Sequence, residues 1–482
     1  MNQLYRGLLG HSNRVRLACS ALLALVLLTA CGGVSVSQPS AQIAVKPKNI
    51  IVLFADGAAS TQWELGRYSS HLMRNRPFAV TDEIFKHGVI GLMSTHSATS
   101  AVTDSAAAAT AMSTGYKTRT GMIGMTPDGM PVPVIMEMAK ARGKRIGLVT
   151  TAAVHDASPA AFSTHANSRR DAQSIVNQML ALEPDILMGG GRDFFLPKGT
   201  GGGKRTDGQD VISAFASKGY QIVKDPAALR SATGPRLLAL FSEDDMDLEI
   251  DRDPKQEPST AEMAEAALRV LSANSPNGFV LFLENESIDT AGHRNDAAAL
   301  IRDLWAFDDA VKVALEFQRR APTETLIIVT GDHETGGLSW TYAQKDLSTL
   351  ENTNRYYPDG SHLAMLGRIR ISFDKATELL GKKPTGEALD KIIAENFPGF
   401  RLDADLRAAI LTQTSLEHSM TYVPQAILGR MVARQTGLYW GTTGHTTQPA
   451  VVGALGPGAA LFRGYMDNTD FARAMHRLLD GR

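Results

Sequence analysis

Six runs of apolar residues with the length of a β-strand recur along the chain, and polar residues follow almost every one of them. Apolar and polar residues do not alternate within the runs, which predicts strands buried on both faces, as in a parallel sheet. The runs lie at residues 49–57, 145–151, 185–188, 279–283, 325–331 and 449–455. Helical segments separate them, and the clearest begins with a capping box at Ser259 and Glu262 and extends to about Ala273. This order predicts an α/β fold: a three-layer sandwich with a central, mostly parallel sheet and helices on both faces.

Acidic, histidine and hydroxyl side chains follow the carboxyl ends of the predicted strands. Ligands of open parallel sheets bind outside these strand ends, so the side chains are expected to meet at one edge. A single Asp56-Gly57 pair is more often only a turn, and the repetition of the pattern is what favours a site. The candidate metal ligands are Asp56, Asp156, Ser158, Glu284, Asp289, His293, Asp332, His333 and His445.

These residue types suit two kinds of ion. Histidines with carboxylates and no cysteine suit Zn²⁺, whereas the Ser, Glu and Asp oxygens suit Mg²⁺. Asp289 and His293 are four residues apart and share one face of a helix, although such a pair is more often a surface hydrogen bond. His445 is expected to enter the site from a loop. Nine ligands are too many for one ion, and two ions about 3.5 to 4 Å apart would flank the attacking and leaving oxygens of a phosphoryl transfer.

Ser105 is the candidate nucleophile of this site. Four alanines follow it and Gly115 is a plausible terminator, so Ser105 is expected at or near a helix N-terminus, where an anion is stabilised. The alternative is a serine that only caps a packing helix. Arg169 is a candidate phosphate clamp, with a solvated arginine before a helix at 171–182 as its alternative. A serine activated by metal would act as a covalent nucleophile without a catalytic triad.

Composition excludes some classes of protein and partner. The chain has 482 residues, 44% of them hydrophobic and 21% charged, with a formal net charge of −1. It therefore has no general basic field for nucleic acid. Both cysteines, Cys19 and Cys31, lie near the start, so no disulfide can form within the rest of the chain.

The first 31 residues are typical of an export signal. Arginines precede a short apolar run at 17–30, which is too short for a comfortable membrane span. The ending Leu28-Thr29-Ala30-Cys31 resembles a bacterial lipobox, which implies cleavage before Cys31 and lipidation of its thiol. The alternative is an ordinary secretory signal with an incidental cysteine. We expect an exported protein, lipid-anchored in the cell envelope on the periplasmic or outer surface, with residues 32–47 as a flexible tether.

Residues 341–440 interrupt the alternation of strands and helices. We expect them to form an inserted cap or crown subdomain near the mouth of the site, between the two parts of a catalytic core at 48–340 and 441–482. The glycines at 189–191 lack the spacing of a phosphate-binding loop and are interpreted as a tight turn, and 199–210 as an exposed loop. His155 and His165 are interpreted as structural.

Several of these segments together resemble the alkaline phosphatase family, over about residues 48–340 and 440–465. They are the Asp-Ser-Ala and Ala-rich segment at 104–115, Asp-Ala-Ser-Pro-Ala-Ala-Phe at 156–162, Pro-Ser-Thr-Ala-Glu-Met at 258–263, residues 284–293, Thr-Gly-Asp-His-Glu at 330–334, and His445. Two positions depart from the family pattern. Ala58 and Ala59 follow Gly57 where relatives usually have Met-Gly, and Thr290 stands where they often have Lys, His or Trp.

The resemblance implies a phosphoserine intermediate on Ser105 and phosphate held by Arg169. It implies that Asp104 supports these site residues without binding the phosphate itself. The metal sites that it implies are one zinc on Asp289, His293 and His445, a second zinc on Asp56, Asp332 and His333, and magnesium near Asp56, Ser158 and Glu284, with Asp156 close by through water. It also implies small-molecule phosphomonoesters as substrates and a homodimer. Together with the export signal, our first hypothesis is an envelope-tethered enzyme that scavenges inorganic phosphate from organic esters.

Two other functions stay open from the sequence. One is a related metal-dependent phosphodiesterase or sulfatase of the same superfamily, against which Arg169 argues because it fills the space that a second ester group needs. The other is a metal-holding binding lipoprotein without turnover, against which the nucleophile Ser105 argues.

Overall fold

The computed structural model describes residues 46–341, 343–344, 355–356, 358–416 and 423–480. The predicted signal, the lipobox cysteine and nearly all of the tether lie outside the described residues. The described strands are β1 Asn49–Ala55, β2 Val89–Ser94, β3 Arg145–Ala153, β4 Ile186–Gly190, β5 Gln221–Val223, β6 Leu237–Leu240, β7 Phe279–Asn285, β8 Thr325–Thr330, β9 Glu334–Thr335, β10 Leu338–Trp340, β11 Ala343–Gln344, β12 Arg355–Tyr356, β13 Leu438–Trp440, β14 His445–Thr446, β15 Ala450–Leu455 and β16 Gly464–Asp467.

Ten of these strands form one sheet, in the order β16-β2-β15-β8-β1-β7-β3-β4-β6-β5. Only β15 runs against its neighbours, and all other pairs in the sheet are parallel. The prediction of a mostly parallel central sheet is therefore confirmed. In the register of the three central strands, Phe54 of β1 lies beside Glu284 of β7 and Thr330 of β8, so the carboxyl ends of these strands meet at one edge.

Helices pack against both faces of this sheet. They are α1 Ser60–Ser69, α2 Ser105–Thr114, α3 Ile135–Ala141, α4 Ala157–Ser163, α5 Ala172–Leu182, α6 Val211–Ser217, α7 Pro226–Ser231, α8 Thr260–Ser272, α9 Ser287–His293, α10 Ala297–Arg320, α11 Gly360–Ala364, α12 Phe373–Leu380, α13 Gly386–Asn396, α14 Ala404–Thr412, α15 Pro424–Thr436 and α16 Asn468–Asp480. Among the described residues, no helix is both long and apolar enough to cross a membrane.

The two faces of β1 contribute to different hydrophobic cores. Ile51 and Leu53 pack with α8 and α10, whereas Val52 and Phe54 pack with α2, α4 and α16. All four side chains are almost completely buried. An apolar run without alternation is what a strand between two helical layers requires, and the three-layer architecture follows from it.

The edge of the sheet differs from the prediction. Strands β2, β5, β6 and β16 of this sheet were not predicted, and the sequence predicts β15 as the last strand; β5 and β6 have only three and four residues. β2 was missed because it alternates over a partly open face: Ile90 is 45% and Leu92 44% exposed, while Met93 is fully buried. β16 is only four residues long and lies beyond β2 at the edge, where few apolar residues are needed.

Two loop interpretations were also incomplete. Gly189 and Gly190 belong to β4 and only Gly191 turns, with φ of 85°. A Cβ atom at Gly190 would overlap the carbonyl oxygen of Asp244, so glycine is needed for close packing of two chain segments. Within the predicted exposed loop at 199–210, Arg205 is 1% exposed and ion-paired with Asp207 at 2.6 Å.

Helices α11 to α15 occupy much of the segment at 341–440. Residues such as Leu363, Phe373, Leu389 and Met431 belong to the same hydrophobic cluster as α8 and α10. This region is thus continuous in packing with one face of the sheet, and the proposed domain boundaries stay a prediction.

Candidate metal and nucleophile site

Three strand ends deliver carboxylates to one place at the carboxyl edge of the sheet. Asp56 follows β1, Glu284 lies in β7 and Asp332 follows β8. The side chains of these three residues are at most 1% exposed. The parallel register of the central strands therefore buries three acidic groups in a small volume, as the strand-end pattern predicted.

Ser105 opens helix α2 beside these groups, as predicted. The residue before it, Asp104, is the N-cap and accepts a hydrogen bond from the backbone N–H of Ala107 at 3.1 Å. Every residue of α2 is buried, which the run of small alanines permits. The hydroxyl Oγ of Ser105 lies 3.1 Å from Nε2 of His333, so this hydroxyl faces the acidic edge rather than capping its own helix.

One group of possible ligands surrounds His333. Nε2 of His333 lies 3.2 Å from Asp332 Oδ2 and 3.5 Å from Asp56 Oδ1. One ligand atom from each of these three residues lies within 4.8 Å of the others, a spacing that can hold a metal ion. All three residues are buried, so few solvent molecules compete for such an ion.

A second group surrounds Asp289, which helix α9 presents together with His293, as their spacing predicted. Asp289 Oδ2 lies 3.1 Å from His293 Nε2, and Asp289 Oδ1 lies 3.7 Å from His445 Nε2. His445 belongs to the two-residue strand β14, not to the loop expected from the sequence, and pairs there with Thr335. Asp289 also accepts a hydrogen bond from the Thr335 hydroxyl, and with His333 and His445 it forms another set of ligand atoms within 4.8 Å.

The two imidazoles in this second group show that the donor set fits a cation. His293 Nδ1 lies 2.6 Å from the carbonyl oxygen of Thr443, and His445 Nδ1 lies 2.8 Å from that of Thr103. A carbonyl oxygen only accepts, so each Nδ1 carries a proton, and in the neutral form of each ring Nε2 carries the lone pair. The two Nε2 atoms lie 3.0 Å apart. Two neutral rings in this arrangement repel each other unless a proton or a metal cation lies between the two Nε2 atoms, so the pair fits a shared metal ion.

A third group of oxygens lies on the other side of Asp56. The hydroxyl of Ser158 lies 3.3 Å from Asp56 Oδ2, and Thr150 donates a hydrogen bond to Glu284 Oε2 at 2.5 Å. The remaining oxygens Asp56 Oδ1, Glu284 Oε1 and Asp332 Oδ2 are buried without a hydrogen-bond partner among the described residues. Buried carboxylate oxygens are costly unless they are paired or bind a metal, so these oxygens also fit a cation site.

The electrostatics of the cluster agree with a cation site. Burial and the neighbouring carboxylates raise the pKa of Asp56 well above its usual range, and burial raises the pKa of Asp332 to about 7 and of Glu284 to about 8. Burial lowers the pKa of His333 far below its usual value, which favours the neutral imidazole. Burial alone would raise the pKa of Asp289, but the neighbouring imidazoles hold it well below its usual range. Without cations these carboxylates resist ionising together, and bound divalent ions would remove that repulsion.

Arg169 lies at the open side of the site. Its Nη2 donates to Asp156 Oδ1 at 2.9 Å, and its Nη1 lies 3.6 Å from Asp104 Oδ2. Burial acts to lower the pKa of Arg169, but Asp156 and Asp104 raise it above its usual value, so the guanidinium is always charged. Asp104 also accepts from the backbone N–H of Gly121, whose carbonyl accepts from the Arg169 N–H. The residue that caps the Ser105 helix therefore also orients Arg169.

A family model described as alkaline phosphatase matches residues 47–480 of the chain. The chain belongs to the alkaline phosphatase family. This is a family of phosphomonoester hydrolases that depend on metal, so the chain is a member of an enzyme family.

Individual alkaline phosphatases agree with this assignment. The chain is 38% identical to the repressible alkaline phosphatase of Saccharomyces cerevisiae over 61% of its length, which spans 56% of the yeast protein. It is 30% identical to alkaline phosphatase 4 of Bacillus subtilis over 90% of its length and 88% of that protein. The crystal structure of Thermus thermophilus alkaline phosphatase superimposes with a TM-score of 0.82 at 29% identity, covering 92% of this chain and 93% of that one.

Some residues around this candidate site were not found from the sequence. Thr150 and Thr335 hold Glu284 and Asp289 by hydrogen bonds, but a threonine in or after an apolar run gives no signal of such a role. Glu286, at the start of α9, accepts from the Thr290 hydroxyl at 2.8 Å. Thr290 is thus turned toward Glu286 rather than free to donate elsewhere. His165 is structural as predicted, bound to Glu137 at 3.1 Å, and His155 lies 3.6 Å from the buried Asp193.

Proposed function

We propose that the chain hydrolyses phosphomonoesters to an alcohol and inorganic phosphate through a phosphoserine intermediate on Ser105. The observation that carries the proposal is the position of the Ser105 hydroxyl. It lies at the N-terminus of α2, 3.1 Å from His333, and His333 belongs to both groups of possible metal ligands. A nucleophile in this position faces an anion-binding helix end on one side and the ligand groups on the other.

We infer that the bound cofactors are two Zn²⁺ and one Mg²⁺. The residues that would hold them are Asp289, His293 and His445 for one zinc, Asp56, Asp332 and His333 for the other, and Asp56, Ser158 and Glu284, with Asp156 nearby, for magnesium. Mixed nitrogen and oxygen ligands support zinc, and a set of hydroxyl and carboxylate oxygens supports magnesium. The chemistry that such ions supply when bound is stabilisation of negative charge on the attacking and leaving oxygens.

The residues of the chain define two displacement steps. In the first, Ser105 Oγ releases its proton to solvent and forms a bond to phosphorus, the bond to the ester oxygen breaks, and the leaving alcohol takes up a proton from solvent. In the second, water loses a proton and its oxygen forms a bond to phosphorus, the Oγ–phosphorus bond breaks, Oγ takes up a proton, and inorganic phosphate leaves. Arg169, fixed by Asp156 and Asp104, donates to phosphoryl oxygens and orients the group for in-line attack.

Arg169 also favours monoesters over diesters and sulfate esters. Its planar guanidinium offers parallel N–H donors, which match a group with two charged oxygens better than a group with one. The space in front of the guanidinium is then filled by oxygen rather than by a second ester substituent.

We propose that the enzyme is exported and held at the bacterial cell envelope by a lipid on Cys31, where it would scavenge phosphate. The support is the Leu-Thr-Ala-Cys ending after an apolar run. Metabolic labelling with a fatty acid should mark the full-length protein and not a Cys31→Ser variant. The homodimer that the family resemblance implies is also a proposal, and light scattering on the purified protein would measure its mass.

Steady-state hydrolysis of a chromogenic aryl phosphate tests the proposed activity. The protein is compared as metal-loaded, chelated and Ser105→Ala forms. Activity that is lost on chelation, returns with zinc plus magnesium and collapses in Ser105→Ala would support the proposal. Absent monoester turnover in fully metallated protein, with good activity on a diester or sulfate ester, would contradict the substrate class.

A further inference from the structure

Glu334 is a fully buried carboxylate that directly follows His333. Its Oε1 accepts hydrogen bonds from Gln62 Nε2 at 2.7 Å and from the Leu338 N–H at 3.0 Å. Its Oε2 accepts from the Gly337 N–H at 3.1 Å and from the Thr446 hydroxyl at 2.5 Å. No lysine or arginine of the described chain pairs with it, so four neutral donors satisfy the whole charge.

These four donors belong to segments that carry other parts of the site. Thr446 directly follows His445, and the pair forms strand β14. Gln62 lies in α1, and its Oε1 accepts from the Ala59 N–H just after the Asp56 turn. Gly337 lies in the turn that contacts residues 441–444. Glu334 therefore joins the chain segments around Asp56, His333 and His445.

Contacts of its strand and of its ring fix the position of His445. Strand β14 has two residues and, in the described part of the chain, pairs only with β9, where Thr446 lies opposite Glu334 and His445 opposite Thr335. Outside this ladder, Nδ1 of His445 donates to the Thr103 carbonyl, and its ring stacks on that of His333 with centroids 3.7 Å apart. The hydrogen bond from the Thr446 hydroxyl to Glu334 is thus a side-chain contact that holds the strand on which His445 lies.

We propose that Glu334 is a positioning residue for the metal site, which fixes strand β14 so that His445 Nε2 faces Asp289 and His293. This inference rests on the proposed function, because it concerns the zinc assigned to those three residues. Glu334 does not touch that ion's ligand atoms. It acts through Thr446 and the β9–β14 ladder.

The variant Glu334→Gln tests the role with little change of shape. If the new amide faces Gln62, the Leu338 N–H loses its acceptor. If it faces Thr446, the hydroxyl can rotate to accept, but the Gly337 N–H is left without a partner. Either way a buried donor is orphaned beside the His445 strand, and changes at residues that orient ligands typically weaken metal binding about 10- to 100-fold.

Two further variants separate positioning from general stability. Thr446→Val removes only the hydroxyl that joins β14 to Glu334, and a smaller loss of zinc affinity is expected. Glu257→Gln is the matched control, because Glu257 is also a buried glutamate that accepts a backbone N–H, from Asp247 at 2.9 Å, away from the site. Thr446→Val also keeps the inference testable if Glu334→Gln fails to fold.

The experiment measures zinc binding to the purified, metal-stripped chain by competition with a chromophoric chelator, and melting temperature with and without zinc. We expect weaker binding and a smaller zinc-induced rise in melting temperature for Glu334→Gln and Thr446→Val, and wild-type values of both for Glu257→Gln. If the two site variants lower melting equally with and without zinc and keep wild-type affinity, Glu334 is merely structural and the inference is wrong. If the wild-type chain itself binds no zinc, the proposed function fails with it.

Discussion

Arg169→Ala gives a direct test of how the site recognises its substrate. In the structure one N–H of Nη2 is used by Asp156 at 2.9 Å, and Nη1 lies 3.6 Å from Asp104 Oδ2, beyond hydrogen-bond distance. At least two N–H groups of the guanidinium are left for an anion. A monoester dianion can accept both, whereas a diester offers a single charged oxygen.

The magnitude follows from the number of hydrogen bonds. A hydrogen bond to a charged group contributes roughly 1.5 to 3 kcal/mol. Loss of two such bonds removes at least about 3 kcal/mol of transition-state stabilisation for a monoester, which lowers its kcat/KM about 100-fold. Loss of one bond lowers kcat/KM for a diester about tenfold. The ratio of monoester to diester activity should fall about tenfold. Arg169→Lys keeps the charge but not the planar pair of donors, so it should lie between wild type and Arg169→Ala.

The assay compares kcat/KM for an aryl phosphate and a bis-aryl phosphate with the same leaving group. Arg170→Ala is the matched control, because Arg170 is the neighbour of Arg169 in the chain, makes no ion pair with Asp156 or Asp104, and should leave both values unchanged. An equal fold-loss on the two substrates in Arg169→Ala would refute the view that this guanidinium selects for the dianion.

Three other changes have defined outcomes. Chelation should lower the melting temperature, because Asp56 and Asp332 are buried together and repel each other; unchanged melting by scanning calorimetry would contradict this. Glu257→Gln should become more stable relative to wild type as pH rises. Burial raises the pKa of Glu257 from 4.5 to about 7, so the preferential protonation of Glu257 in the folded state stabilises the wild-type chain. This stabilisation is complete below pH 4.5 and is lost as the pH rises through 7. The difference, roughly 3 kcal/mol, is measured by urea unfolding, and a pH-independent difference would refute it. Ala109→Leu, at a fully buried site in α2, should cost about 1 to 3 kcal/mol and displace Ser105, seen as lower melting and lower kcat together; normal values of both would show that the helix tolerates larger residues.

The parts of the fold that could be predicted are those set by local sequence. Strands β1, β7 and β8 were found because a strand between two helical layers needs apolar residues on both faces. Helix α2 was found from its alanines and from Gly115, which adopts φ of 83° at its C-terminus. Strand β2 was missed because half of it faces solvent, and the edge strands β16 and β5 were missed because they are short.

In the candidate site, too, the features set by local sequence could be predicted and those set by distant segments could not. Asp56, Glu284 and Asp332 could be placed together from the sequence alone, because ligands meet at the carboxyl edge of a parallel sheet. Contacts that depend on distant segments gave no signal. Glu334 is satisfied by donors at positions 62, 337, 338 and 446, and no spacing in the chain relates these positions.

The proposed mechanism requires that Ser105 carries the phosphoryl group during turnover, and trapping that intermediate tests it most directly. Metal-loaded protein is mixed with excess phosphomonoester, quenched in acid and digested, and the peptides are examined by mass spectrometry. We expect one added phosphoryl group on the peptide that contains Ser105, located on that serine by fragmentation and absent from Ser105→Ala. Full turnover by Ser105→Ala, or a phosphoryl group trapped on another residue, would contradict the mechanism.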